Sequence, residues 1–208
     1  MSNGIIIPAI KNYPYEYWNV DLPEMHKAAR VGDLALLKEI CNKIGINDKD
    51  QHGWTALMHA AKNNHFDCVK FLVNEGALVN EKNNYGHTSL MRAARNGHLD
   101  CVKFLVKEGR VQVNDKDNDG WTALIWATVC SRLKCIQYLV KEGGADMYIK
   151  TNDGKTVFDM NCFKDVQTFF KQAAVASLIT VFIHGQKNKN SWLIMDNIRI
   201  LHDMLHMV

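Results

Sequence analysis

The strongest constraint on this chain is a segment that recurs three times. Residues 53–76 read GWTALMHAAKNNHFDCVKFLVNEG, residues 86–109 read GHTSLMRAARNGHLDCVKFLVKEG, and residues 120–143 read GWTALIWATVCSRLKCIQYLVKEG. Gly53, Gly86, Gly120 and Gly154 stand 33, 34 and 34 residues apart. A unit of this length cannot cover its own apolar face, so the units must stack into one continuous core, as helical solenoids do.

Within a unit the punctuation is regular. A turn opens it at Asp50 to Gly53, Asn83 to Gly86 and Asp117 to Gly120; Asp and Asn close turns through their side chains, and Gly accepts positive φ. A first helix follows, with the small pairs Ala60, Ala61 and Ala93, Ala94 allowing close helix approach, and it ends at Asn64, Gly97 or Ser131. Asn and Gly tolerate the left-handed conformation there. The second helix places Cys68, Val69, Leu72 and Val73, and then Cys101, Val102, Leu105 and Val106, on one apolar face.

These residues resemble the ankyrin repeat family, whose unit is a turn, the pattern T-P-L-H-x-A, and a second helix. The threonine recurs at Thr55, Thr88, Thr122 and Thr156, and the closing glycine at Gly76, Gly109 and Gly143. The family's proline is replaced by Ala56, Ser89 and Ala123, and its histidine by Met58, Met91 and Ile125. Stability must therefore rest more on apolar burial. The resemblance implies an all-α, ankyrin-repeat helical solenoid with short turn and hairpin connections, covering roughly residues 21–172 and acting as a binding module.

The flanks depart from the repeat. Residues 1–20 hold Pro8, Pro14, three tyrosines and Trp18, which predicts an extended arm that caps the first repeat or docks a partner. Residues 21–46 form a degenerate N-terminal repeat, with Ala28 and Ala29 echoing the alanine pair and Leu36, Leu37, Ile40 and Ile44 on the face of its second helix. Three full repeats occupy 47–147. Residues 148–174 form a shortened C-terminal capping repeat, in which 165–174 is the second helix with Val166, Phe169 and Phe170 inward. In the tail, 175–208, residues 178–183 read as a strand or a continued helix, 185–190 as a polar turn, and 192–207 as an amphipathic helix.

Composition excludes more than it assigns. A net charge of +3 and a pI of about 8.5 require neither a nucleic acid nor an acidic membrane as partner. Residues 173–183, the longest largely apolar run, fall short of the ~20 residues that span a bilayer, so no membrane insertion is expected. Cys68, Cys101 and Cys135 occupy equivalent positions in helices that stack about 8–10 Å apart, whereas bridged Cα atoms lie within about 7 Å. Free core thiols and the lack of a signal segment predict a cytoplasmic protein.

Catalytic signatures are absent from the sequence. It holds no phosphate loop, dinucleotide fingerprint or kinase signature set, and no CxxC pair. His202 and His206 stand at the i, i+4 spacing of zinc ligands, but Asp203 takes the place of the Glu and no third ligand follows. His65 and His98 recur with the repeat and read as turn residues. No enzyme activity, cofactor or metal is expected.

What remains are positions the scaffold does not need for its own core. The resemblance places these on a concave face: His52 and Trp54, Tyr85 and His87, Asp119 and Trp121, with Lys62 and Arg95 after the alanine pairs, and Arg92 and Trp126 partly buried behind them. Trp, Tyr and Arg dominate interface hot spots. Trp54, Tyr85, His87, Arg95, Trp121 and Trp126 are therefore the expected partner-binding residues of a protein–protein interaction scaffold or adaptor. The repeats also resemble ankyrin arrays of flagellated protists. That resemblance implies an alternative, a structural component of a cytoskeletal or axonemal, microtubule-associated assembly docked through its non-repeat ends.

Overall fold

A computed structural model describes residues 23–41, 45–160 and 162–185 of the 208. The arm at 1–20, Ile44, the helix expected at 192–207 and the His202, His206 pair lie outside the described residues. Those residues are helical and contain no strand: α1 (Glu24–Val31), α2 (Leu34–Ile40), α3 (Ala56–Lys62), α4 (Phe66–Asn74), α5 (Ser89–Asn96), α6 (Leu99–Lys107), α7 (Ala123–Val129), α8 (Leu133–Lys141), a 3-10 helix Val157–Asp159, and α9 (Lys164–Gly185). They divide into two compact units, at 161/162.

The first unit is the stack. Each odd-numbered helix turns back into the next even-numbered one, and α1, α3, α5 and α7 pack side by side as an inner row against an outer row of α2, α4, α6 and α8. The inner row is the more intimate because it is built on methyls: Ala28, Ala29, Ala60, Ala61, Ala93, Ala94 and Ala127 are fully buried. Each inner helix from α3 onward starts on a threonine whose Oγ1 accepts from a backbone N–H three residues on, Thr55 from Met58, Thr88 from Met91 and Thr122 from Ile125, all at 3.3 Å. That cap supplies the acceptor that a backbone N–H in the first turn lacks.

The units are tied together by their turns. Asn84, Asn118 and Asn152 donate backbone N–H to the carbonyls of His52, Tyr85 and Asp119 one repeat earlier, at 3.1, 3.2 and 3.1 Å. The close approach decides the residue facing it: a Cβ on Gly120, where φ is +81°, would stand 2.7 Å from the Asn152 nitrogen. Asn47, Asn80 and Asn114 side chains accept from Leu78, Gln112 and Asp146 N–H in the next repeat at 2.7 to 2.9 Å. Lys49, Lys82 and Lys116 donate to the carbonyls of Lys82, Lys116 and Lys150.

Details differ from the sequence reading where geometry intervenes. Ser131 joins Asn64 and Gly97 in the left-handed region, with φ of 53°; the cost of that conformation is offset by the Arg132 N–H to Ala127 carbonyl bond that closes the turn. The second helices close on Gly76 in one repeat, but in the next two the positive φ falls one residue later, on Arg110 and Gly144. This extra residue is the source of the longer 34-residue spacing. Gly109 is still required, because a Cβ there would lie 2.7 Å from the Leu105 carbonyl. Val73 and Val106 are only half-buried, unlike Cys68, Val69, Leu72, Cys101, Val102 and Leu105. Five residues on from the cysteine is 500° of turn, which leaves them at the rim of the stripe.

The shortened fifth repeat keeps its turn but reduces its first helix to Val157–Asp159. Thr156 N–H and Oγ1 both donate to Asp159 Oδ2, at 2.8 and 2.7 Å. The second unit contains α9, which runs 22 residues and settles residues 178–183 as continued helix. No proline interrupts it, and its only glycine is the final residue. Val166, Phe169, Phe170 and Ala174 are buried in its N-terminal half. Among the described residues no helix is long and apolar enough to cross a membrane.

Leu105 is fully buried at the centre of the stack. Leu105→Ala should destabilise the protein by about 2–5 kcal/mol, read as a lowered urea midpoint.

Candidate functional site

The turn residue that opens each repeat does two jobs. With one oxygen it holds the turn: Asp50 Oδ1 accepts from His52 and Trp54 N–H at 2.8 and 2.9 Å, Asn83 from Tyr85 and His87, and Asp117 from Asp119 and Trp121. The second oxygen reaches nine residues along, into the inner helix. His59 Nε2 lies 3.0 Å from Asp50 Oδ2, and Trp126 Nε1–H donates to Asp117 Oδ2 at 2.8 Å.

Asn83 breaks the series in a way its chemistry requires. Its Oδ1 is taken by the backbone, so an NH2 group faces inward and is buried without a partner. A guanidinium cannot donate to that group. Arg92, nine residues on, instead donates through Nη2 to His87 Nδ1, and His87 Nε2 sits 3.4 Å from Asp117 Oδ2. One neutral tautomer of His87, protonated on Nε2, satisfies both neighbours. The network thus crosses from one repeat into the next.

Rings and cations fill the remaining space along the inner face. Arg92 lies 4.6 Å and Lys62 5.5 Å from the Trp54 ring, and Arg95 lies 4.9 Å from Trp126. His26 stands edge-on to His59 at 5.7 Å, Trp54 tilts against His59 at 5.1 Å, His87 meets Trp126 edge-on at 5.4 Å, and Trp121 packs on Trp126 at 4.7 Å. The ladder spans four successive repeats.

Of the six expected contact residues, this geometry places three at the surface and three behind it. Tyr85 is exposed, and Trp121 and Arg95 are half-buried. Trp54, His87 and Trp126 are 4%, 1% and 8% exposed. The buried three hold cations and neighbouring rings in position and have almost no surface to offer. Sequence reasoning missed His26, His59 and the second oxygens of Asp50 and Asp117. The signal was present as the constant nine-residue offset from the turn residue to the inner-helix side chain.

The electrostatics follow from burial. Desolvation pushes the imidazoles of His59 and His87 below their ordinary range, against the pull of Asp50 and Asp117. Burial opposes ionisation of those carboxylates, but hydrogen bonds from His59 or His87 and from the backbone hold both below the usual range. Lys62 is pushed down to about 8, first by burial and then by Arg92, Arg30 and Arg95. Burial raises the Cys101 and Cys135 thiols to about 11. His65 and His98 donate Nε2–H to the Arg30 and Lys62 carbonyls one repeat earlier, and Arg132, which stands where a histidine would recur, donates Nε–H to the Arg95 carbonyl at 3.1 Å. No cluster of three metal-ligating side chains occurs among the described residues.

A family model described as ankyrin repeats in three copies matches residues 25–117 and, overlapping them, 79–151. The chain belongs to the ankyrin repeat family. This array is 50% identical over 52 residues to the ankyrin repeat domain-containing protein 29 of Homo sapiens, which is 24% of this chain and 17% of that one. It is 46% identical over 57 residues to osteoclast-stimulating factor 1 of Monopterus albus, covering 27% and 26%, and 40% identical over 55 residues to the NAD-capped RNA hydrolase NUDT12 of Homo sapiens, covering 26% and 12%. The matched stretches span about a quarter or less of those relatives. Ankyrin repeats generally mediate protein–protein interaction, and the shared segment is the repeat itself.

The buried imidazoles make stability depend on pH. Their folded values lie below 6.5, so the unfolded chain takes up protons first, and the contribution is whole above pH 6.5 and lost as pH falls below it. Asp50 and Asp117 add a second loss below 3.8. The guanidinium midpoint should therefore fall steadily as pH drops below 6.5. Asp117→Asn sets an N–H group against Trp126 Nε1–H or strips the turn of its acceptor, and should cost about 2–4 kcal/mol in the same assay.

Proposed function

We propose that this ankyrin array is a non-catalytic scaffold that binds a protein partner across its concave, inner-helix face. Tyr85, Trp121 and Arg95 make the contact, and Trp54, His87 and Trp126 hold them in register. The observation that carries this reading is the buried ladder itself. It fixes large aromatic and cationic side chains in defined positions next to surface, which lowers the ordering cost of binding and suits hot-spot residue types.

A binding role also fits the state of the reactive groups. Asp50 and Asp117 are consumed by hydrogen bonds within the fold, and the Cys101 and Cys135 thiols stay protonated at neutral pH. All six cysteines are free, which suits a reducing cytoplasm.

Affinity capture from the native cell would test the proposal, using the intact chain, Tyr85→Ala/Trp121→Ala, and a chain lacking residues 1–20 and 186–208, each checked for helicity and melting temperature. The double variant should lose its partners and the trimmed chain should keep them. The reverse result, with cytoskeletal proteins lost on trimming, would overturn concave-face binding in favour of docking through the ends.

A further inference from the structure

Arg95 is a cation that the fold leaves without an acid. It is half-buried in the last turn of α5, its guanidinium Cζ lies 4.9 Å from the Trp126 ring, and none of the described residues offers that guanidinium a carboxylate or another acceptor. The acids of the following repeats are engaged or distant. Asp117 is consumed by its turn, by Trp126 and by His87, Asp153 pairs with Lys155 at 3.0 Å, and Asp119 is exposed on its turn tip and makes no ion pair with Arg95. Trp121, also half-buried, packs on the same Trp126 at 4.7 Å. Resting on the concave-face reading, we infer that this patch receives one carboxylate side chain of the partner on Arg95, with an apolar side chain two residues away on Trp121.

Three observations carry this. The repeat does not require the charge, since Val129 fills the equivalent position at the end of α7. The guanidinium is pre-positioned on a ring, which lowers the cost of ordering it, and its fork of N–H donors matches a carboxylate in a bidentate pair. An incoming carboxylate also displaces no ion pair of Arg95 and relieves its repulsion of Lys62, which burial first, and then Arg92, Arg30 and Arg95, push down to about 8. The spacing follows from the shared ring. Arg95 and Trp121 both lie against Trp126 and so stand within about 10 Å of each other, while residues i and i+2 of an extended segment share one face about 7 Å apart.

A peptide carboxylate fits better than a phosphate. Asp119 and Asp153 are exposed on the turn tips flanking this face and would repel the successive phosphates of a nucleic acid, and Trp54 and Trp126 are too buried to stack with bases. Phosphorylated peptides are taken by arginine clusters, whereas the neighbouring Arg92 is already engaged with His87 and the Trp54 ring.

The test is an NMR titration of the full chain, read at the Arg95 Nε–H and Trp121 Nε1–H signals. The probes are a short glycine-serine peptide carrying Phe and Glu at i and i+2, its Gln counterpart, its phosphoserine counterpart, and single-stranded oligouridine. The Glu peptide should shift both signals saturably and bind about tenfold tighter than the Gln peptide. Arg95→Gln should bring those two peptides to equal affinity, and Trp121→Ala should weaken both alike. A merely structural Arg95 predicts the opposite pattern, a lowered melting temperature in Arg95→Gln with the Glu preference intact. Equal affinity for Glu and Gln peptides in the native chain, tighter binding of the phosphoserine peptide or of oligouridine, indifference to either variant, or no saturable shift with any probe would each overturn the carboxylate site. The Tyr85, Trp121 capture decides the concave-face reading separately: a protein that loses its partners there but shows no Glu preference here fails only in the carboxylate.

Discussion

The whole array depends on one short polar side chain per repeat. A turn at the repeat junction exposes two backbone N–H groups that no helix or strand can satisfy, and leaving them buried and unpaired would cost about 1–3 kcal/mol each. Asp50, Asn83 and Asp117 each take both on a single oxygen. Thr151 keeps part of the same device in the fifth repeat, its hydroxyl accepting from Lys155 N–H at 3.0 Å. Once the turn is closed, its next-repeat neighbour docks on it by backbone hydrogen bonds, and the threonine cap starts the inner helix in a fixed place.

That fixed start is what turns a stack of helices into a surface. The second oxygen of the turn carboxylate selects the side chain nine residues on, so a donor belongs there: His59 beside Asp50, Trp126 beside Asp117. An amide at the turn releases the constraint, and Arg92 is free to lean across to His87 and link two repeats. The aromatic residues behind the face are therefore structural. They set where Lys62 and Arg95 stand.

Much of this was readable in the chain. The glycine period fixed the repeat, the alanine pairs named the inner helices, and the Cys-Val-Leu spacing named the outer stripe. Less readable were departures that depend on neighbours. Ser131 in a left-handed conformation, the one-residue delay of the helix end to Arg110 and Gly144, and the rim position of Val73 and Val106 follow from how adjacent elements close on each other. Three of the six expected contact residues lie behind the surface for the same reason. An aromatic after a turn glycine reads as exposed in one repeat, yet Trp54 is covered by Arg92 and Lys62 arriving from α5 and α3.

The sequence by itself determined the architecture, because a period of 33 or 34 residues with small residues on one helix and branched apolar residues on the other has one economical way to bury its faces. Tertiary structure alone decided the character of the inner face. Whether a ring is a contact or a support, and whether a lysine keeps its ordinary affinity for a proton, depends on charges and methyls brought within a few ångströms from the repeats on either side. Adjacency of that kind is a property of the stack and not of the unit.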